Sequence, residues 1–149
     1  MPGCGLIADC PCGFHKEDLM AGASVETDKK TGLPKPWQYK NIVCYQCGTL
    51  RSRIVKDEFV LVDGVYTQRT PKIGYCRTCH KRLRDITDFD LWEPKHLQAK
   101  YPNTEDPWLL GDGFYNSPEA REEAQLIRYK CPKCHRFQMT IEEGGCLWD

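Results

Sequence analysis

The chain has no long apolar run. Its longest strongly apolar stretch is "FVLV", residues 59–62, against the roughly 20 apolar residues that a membrane-spanning helix requires. The first residues, "MPGCGLIADCPCGF", lack a basic n-region and an apolar h-region, so no secretory signal is expected and a cytoplasmic location is. Pro2 is incompatible with N-myristoylation, and "CLWD" at residues 146–149 is a poor prenylation signal. Net charge is also missing: 21 Lys and Arg face 21 Asp and Glu. A protein that grips a phosphate backbone is expected to be clearly basic, because its affinity comes from cations that displace counterions. Catalytic signatures are equally scarce, with no Gly-rich phosphate loop and no compelling Ser-His-Asp order.

Cysteine, by contrast, is abundant: ten in 149 residues. Eight fall in close pairs, Cys10 with Cys12, Cys44 with Cys47, Cys76 with Cys79 and Cys131 with Cys134, while Cys4 and Cys146 stand apart near the ends. A disulfide framework belongs to small secreted chains, so the thiols are expected to be reduced. A redox dithiol needs one C-x-x-C at a helix start in a βαβ unit; here the pairs recur and follow strand-like runs. A C-x-x-C turn aims both sulfurs at one point, and two such turns supply the four ligands of a tetrahedral zinc site. The eight paired cysteines are therefore the expected ligands, for about two Zn²⁺ per chain. Four protein ligands leave no position open for activating water, so no catalytic residue is expected. Each such site carries a charge of about −2, which takes the neutral chain to about −4. A polar chain of this length buries a modest core, and bound metal adds its binding free energy to folding.

The spacing leaves the grouping of the pairs open. A sequential scheme joins Cys10, Cys12, Cys44 and Cys47, and separately Cys76, Cys79, Cys131 and Cys134. A nested scheme joins 44/47 with 76/79 across an ordinary zinc-ribbon insert, and joins the pairs nearest the chain ends with each other. The tight Cys10-Pro11-Cys12 pair also admits Cys4 as a substitute ligand. His15, His80 and His135 each follow a knuckle, and with eight paired cysteines available they are expected to support it or lie on the surface, as is the isolated His96. Basic residues gather near the knuckles: Arg51 and Arg53; Arg77, Lys81, Arg82 and Arg84; Arg128, Lys130, Lys133 and Arg136. They are expected to offset thiolate charge and form a solvated face, since Asp85, Asp88, Asp90 and Glu93 follow directly and would repel phosphates.

The pattern predicts a small mixed, β-rich zinc-ribbon protein with two zinc-knuckle sites on β-hairpins, one clear helix and long irregular segments. Residues 1–58 read as an N-terminal zinc-knuckle region and 59–149 as a C-terminal zinc-ribbon region. Residues 16–36 read as polar, with "ETDKKTGLPKP" (26–36) as a loop, and 37–55 as strand, knuckle and strand. Residues 58–69 read as a hairpin turning at Asp63-Gly64, a type I′ signal. A further strand and knuckle span 72–83. Residues 84–116 read as irregular, broken at Pro94, Pro102 and Pro107, with one or two helical turns at 94–101. The clearest helix starts at the Ser117 cap with Pro118 and Glu119, and places Ala120, Ala124 and Ile127 on one face. A strand and a last hairpin follow, over 127–143. Trp37, Tyr39, Phe89, Trp92, Trp108, Phe114 and Tyr115 are expected to pack internally or anchor a partner.

From about residue 59 to 143 the chain contains "FVLVDGVYTQRTPKIGYCRTCH", then "LWEPKHLQAKYP", then "LIRYKCPKC". This order of hairpin, knuckle, Pro- and aromatic-rich chain, and strand into C-P-x-C resembles the small zinc-binding (gamma-type) subunits of the acetone carboxylase group, which includes acetophenone carboxylase. The chain departs from that pattern at Cys76–His80, which is C-x-x-C-H where the family has C-x-C-G-H, and in the two added knuckles of residues 1–58. The resemblance implies an assembly subunit of an ATP-dependent ketone carboxylase. Large hydantoinase-like subunits would carry the ATP and substrate sites, and this chain alone would bind no small-molecule substrate. The resemblance also favours the sequential grouping. The alternatives are a free-standing zinc-ribbon adaptor of nucleic-acid machinery and a rubredoxin-like iron carrier, since "CYQCG" and "CPKC" also suit iron.

Overall fold

The computed structural model describes residues 3–100 and 118–147. Trp108, Phe114, Tyr115 and the expected Ser117 cap lie outside them. In chain order the elements are β1 (Gly3–Asp9), β2 (His15–Ala21), β3 (Ala23–Thr27), β4 (Pro34–Cys44), β5 (Thr49–Lys56), β6 (Glu58–Val62), β7 (Val65–Arg69) and β8 (Arg84–Asp85). A 3-10 turn (Phe89–Leu91), β9 (Trp92–Glu93), α1 (His96–Lys100), α2 (Pro118–Ala124), β10 (Arg128–Lys130) and β11 (Phe137–Leu147) complete them. None of the described helices is long and apolar enough to cross a membrane.

Strands from the two ends of the chain share one sheet, in the order β2-β1-β11-β10-β9. β1 runs antiparallel to β11 from Gly3 opposite Leu147 to Asp9 opposite Thr140. Side chains alternate along a strand, so Leu6 and Ala8 of β1 both turn inward, where Leu19 of β2 and Met139 of β11 are also buried. The second sheet is β3-β4-β5. β8 pairs with the end of β4, placing Val43 opposite Arg84 and Ile42 opposite Asp85. Between the sheets Leu6, Val43, Leu50, Ile86, Trp92 and Ile127 belong to one apolar cluster. Trp92 is buried without an orphaned donor, because its Nε1–H reaches the Thr87 carbonyl at 3.1 Å.

Several expectations change. The polar stretch 16–36 holds β2 and β3, and the loop expected at 26–36 is confined to the turn between Thr27 and Pro34. β2 reads as polar because its pairing with β1 buries only Leu19 of "HKEDLMA". The segment after residue 83 is less irregular than expected, holding β8, the 3-10 turn and β9, while α1 falls within 94–101, where helical turns are expected. Asp85 organises its start, its carboxylate accepting from the Thr87 backbone N–H at 3.0 Å and from the Thr87 hydroxyl at 2.7 Å. α2 ends at Ala124, so Ile127 is buried beyond the helix instead of on its face; the Ala120 side chain lies outside the described part. The hairpin at 58–69 forms as expected, with Asp63 at φ 49° and Gly64 at φ 78°, both left-handed as a type I′ turn demands.

Candidate metal centres

The eight paired cysteines come together in two groups of four. Cys10, Cys12, Cys131 and Cys134 form one, and Cys44, Cys47, Cys76 and Cys79 the other, with the sulfurs of each group within 4.8 Å of one another. This is the nested grouping, and it corrects the sequential one. Strand pairing is the cause. The first knuckle caps the β1–β2 hairpin and the last caps β10–β11; because β1 lies against β11 with Asp9 opposite Thr140, both knuckles sit at the same end of the sheet. Likewise Cys44 and Cys47 cap β4–β5, a bridge between Tyr75 and Arg82 closes the Cys76–Cys79 loop, and β8 then lies beside β4.

Across the knuckles the sulfurs are 3.7 Å apart in the first group, Cys10 to Cys134 and Cys12 to Cys131. In the second they are 3.5 Å for Cys44 to Cys79 and 3.8 Å for Cys47 to Cys76. A disulfide would bring two sulfurs to about 2.05 Å. A tetrahedral ion bound at about 2.3 Å to each sulfur separates them by about 3.8 Å. The geometry therefore fits a four-thiolate metal site in each group.

The thiols are primed unequally. Burial pushes the Cys10 thiol up to about 12. The Cys79 thiol's hydrogen bond, followed by burial, pushes Cys47 up to about 12. Backbone N–H groups of Cys79 and Thr78 draw Cys76 down to about 6. In the first group the Arg136 N–H draws Cys134 down to about 6, helped by the Gln138 amide at 3.3 Å from its sulfur. Each group thus has one thiol drawn toward the thiolate, while two are pushed up, Cys10 with Cys131 and Cys47 with Cys79, and give up their protons when a cation binds.

All four knuckles close through a left-handed residue just after the second cysteine: Gly13 (φ 98°), Gly48 (φ 69°), His80 (φ 59°) and His135 (φ 60°). The backbone N–H of each reaches back to the carbonyl of the knuckle's first cysteine at 2.9 Å. Histidine therefore stands twice where glycine serves elsewhere in the same chain. None of His15, His80, His96 and His135 joins either cysteine group. His15 bridges Asp9 and Glu17, which raise its pKa. Left-handed backbone costs a non-glycine residue about 1 kcal/mol, and His80 is exposed, with no side-chain hydrogen bond or ion pair among the described residues. His80→Gly is therefore expected to leave stability unchanged or raise it by up to about 1 kcal/mol. Chemical denaturation of metal-loaded protein checks this.

The two centres are joined by Tyr45, which sequence reasoning passed over. Tyr45 lies inside the Cys44–Cys47 knuckle, yet its hydroxyl donates to the Lys130 carbonyl at 3.0 Å and its own carbonyl accepts from His135 Nε2 at 2.9 Å. The His135 ring meets the Tyr45 ring edge-on at 5.6 Å, and the Lys130 ammonium sits 5.0 Å from the tyrosine's centroid. The only hint in the sequence is an aromatic residue between two ligands.

Cys4 is not a ligand. It is disulfide-bonded, which corrects the expectation that all the thiols are reduced. The β1–β11 ladder places it opposite Cys146, whose side chain lies outside the described part. Of the basic residues, Arg84 is held by Asp88 at 3.0 Å and Asp90 at 2.5 Å, while Arg53 donates to the Ile73 carbonyl at 2.6 Å. Arg128 turns onto the Gln125 and Ile127 carbonyls. Comparison of the chain with protein family models, curated proteins and solved structures gives no match.

Proposed function

We propose that the chain is a zinc-stapled assembly subunit with no active site of its own, holding one Zn²⁺ in each cysteine group. Four sulfurs around one point close the coordination sphere, which suits a structural ion and leaves no position for activating water. The observation that carries the assembly role is the β6–β7 hairpin. Leu61, Val62, Val65 and Tyr66 are 59%, 50%, 65% and 55% exposed. The register sets Leu61 beside Tyr66 and Val62 beside Val65, so alternation makes both faces of the tip apolar. Exposed apolar patches of this kind mark interaction sites. The root is anchored, with Asp57 N–H donating to the Pro36 carbonyl at 2.8 Å and Gln68 donating to the Asp57 carboxylate.

The resemblance of residues 59–143, which includes this hairpin, supplies the partner. It is the hydantoinase-like large subunits of a cytoplasmic, ATP-dependent carboxylase of the acetone or acetophenone type. In native extract the chain is expected to comigrate with much larger subunits on gel filtration. Leu61→Asp combined with Val65→Asp is expected to release it without loss of metal. A monomer peak from native extract overturns the assembly reading, and submicromolar nucleic-acid binding with a steep salt slope replaces it with the adaptor. Elemental analysis is expected to find about two zinc per chain. Iron with visible absorption would replace zinc by a rubredoxin-like centre.

A further inference from the structure

Beside the second cysteine group lies a groove of about 400 Å³, lined by Lys72, Gly74, Tyr75, Arg82, Arg84 and Asp88 among others. We propose that this groove binds a nucleoside phosphate, its phosphates on Lys72 and Arg82 and its base on the ring of Tyr75. This goes beyond the assembly role and does not rest on it. It also departs from the expectation that the chain alone binds no small molecule.

Three features carry it. The first is uncommitted positive charge. Lys72 and Arg82 are exposed and neither forms an ion pair among the described residues, whereas Arg84 is committed to Asp88 and Asp90. The one carboxylate in the wall, that of Asp88, is thus already matched. A free guanidinium offers a fork of N–H donors suited to phosphate oxygens, and a free ammonium adds a point charge.

The second is an aromatic surface set beside those cations. Tyr75 is 69% exposed and pairs across the bridge with Arg82, which places its ring and the guanidinium on neighbouring positions of one small ladder. An exposed aromatic ring stacks any base, since every base presents a π face.

The third is a floor fixed before the ligand arrives. Arg53 Nη2 donates to the Ile73 carbonyl at 2.6 Å, and Leu83 N–H donates to the Gly74 carbonyl at 3.0 Å. Gly74 is left-handed at φ 88° and has open space where a Cβ would stand, so the groove widens there. The volume is that of a small-ligand site and is too small to seat a duplex.

Isothermal titration of the metal-loaded chain with ATP, ADP, inorganic phosphate and oligo(dT) tests the proposal. ATP and ADP are expected to bind saturably and more tightly than inorganic phosphate. Lys72→Ala with Arg82→Ala is expected to weaken ATP by about tenfold or more, the loss of a charge-assisted contact. Tyr75→Ala is expected to weaken ATP severalfold while leaving inorganic phosphate unchanged. All three positions are exposed, and unchanged metal content and thermal unfolding show that each variant is folded. No saturable binding of nucleotide at millimolar concentration overturns the proposal. So does ATP binding that none of the variants alters. ATP and phosphate binding equally, with no effect of Tyr75→Ala, reduces the groove to a plain anion site and overturns it too. Binding of oligo(dT) with no binding of ATP or ADP overturns it in favour of a strand-binding surface.

Discussion

Cys131→Ser is expected to abolish the cooperative unfolding transition and halve the metal content, from about two ions per chain to about one. Cys131 is fully buried in the apolar cluster and belongs to the group that ties the two ends of the chain together. Its sulfur also accepts the Lys133 backbone N–H at 3.4 Å. A structural zinc site contributes on the order of 10–16 kcal/mol, while whole domains are stable by only about 5–15 kcal/mol. Losing even half of the first sum leaves little of the second. Cys4→Ser is the control. In reducing buffer Cys4 carries no cross-link, and the substitution is expected to cost less than about 1 kcal/mol. Metal analysis and thermal melts of the two variants check the contrast. Equal losses of soluble, metal-loaded protein in both would contradict it.

Pairs of cysteine substitutions are expected to report the grouping directly. Once Cys10→Ser has emptied the first group, adding Cys131→Ser removes a ligand that no longer holds anything, so the double variant is expected to resemble the single ones. Adding Cys44→Ser instead empties the second group, and the losses accumulate until no metal is bound and no folded protein remains. Substitutions at one shared site are strongly non-additive, while those at separate sites add. The sequential grouping predicts the reverse, with Cys10 and Cys44 redundant and Cys10 and Cys131 additive. Elemental analysis of these double variants decides between them. A residual coupling between the two groups is expected through Tyr45. Tyr45→Phe keeps the ring but strips the Lys130 carbonyl of its donor, at a cost of about 1 kcal/mol.

The ligands and the local turns were legible in the sequence because each depends on residues a few positions apart. Asp63-Gly64 specifies its own hairpin, since both positions need left-handed backbone and these two residue types supply it. The knuckles are legible for the same reason. Even the left-handed position after each second cysteine is visible at Gly13 and Gly48, although His80 and His135 conceal it. β2 and β3 were not legible, because an exposed strand with one buried residue, as in β2, or none, as in β3, carries the composition of a loop.

The sequence by itself determined which eight cysteines gather and how each pair is presented. Only the tertiary structure decided which pair meets which. That choice rests on β1 lying against β11 and β8 against β4. The first of these contacts joins strands more than a hundred residues apart, Asp9 to Thr140. The spacing of ligands along the chain does not encode it, because closing a long loop costs free energy that grows only with the logarithm of its length. A near knuckle therefore has little entropic advantage over a distant one. The buried faces of the strands, Leu6 and Ala8 with Met139, and Val43 with Ile86, settle the partners instead.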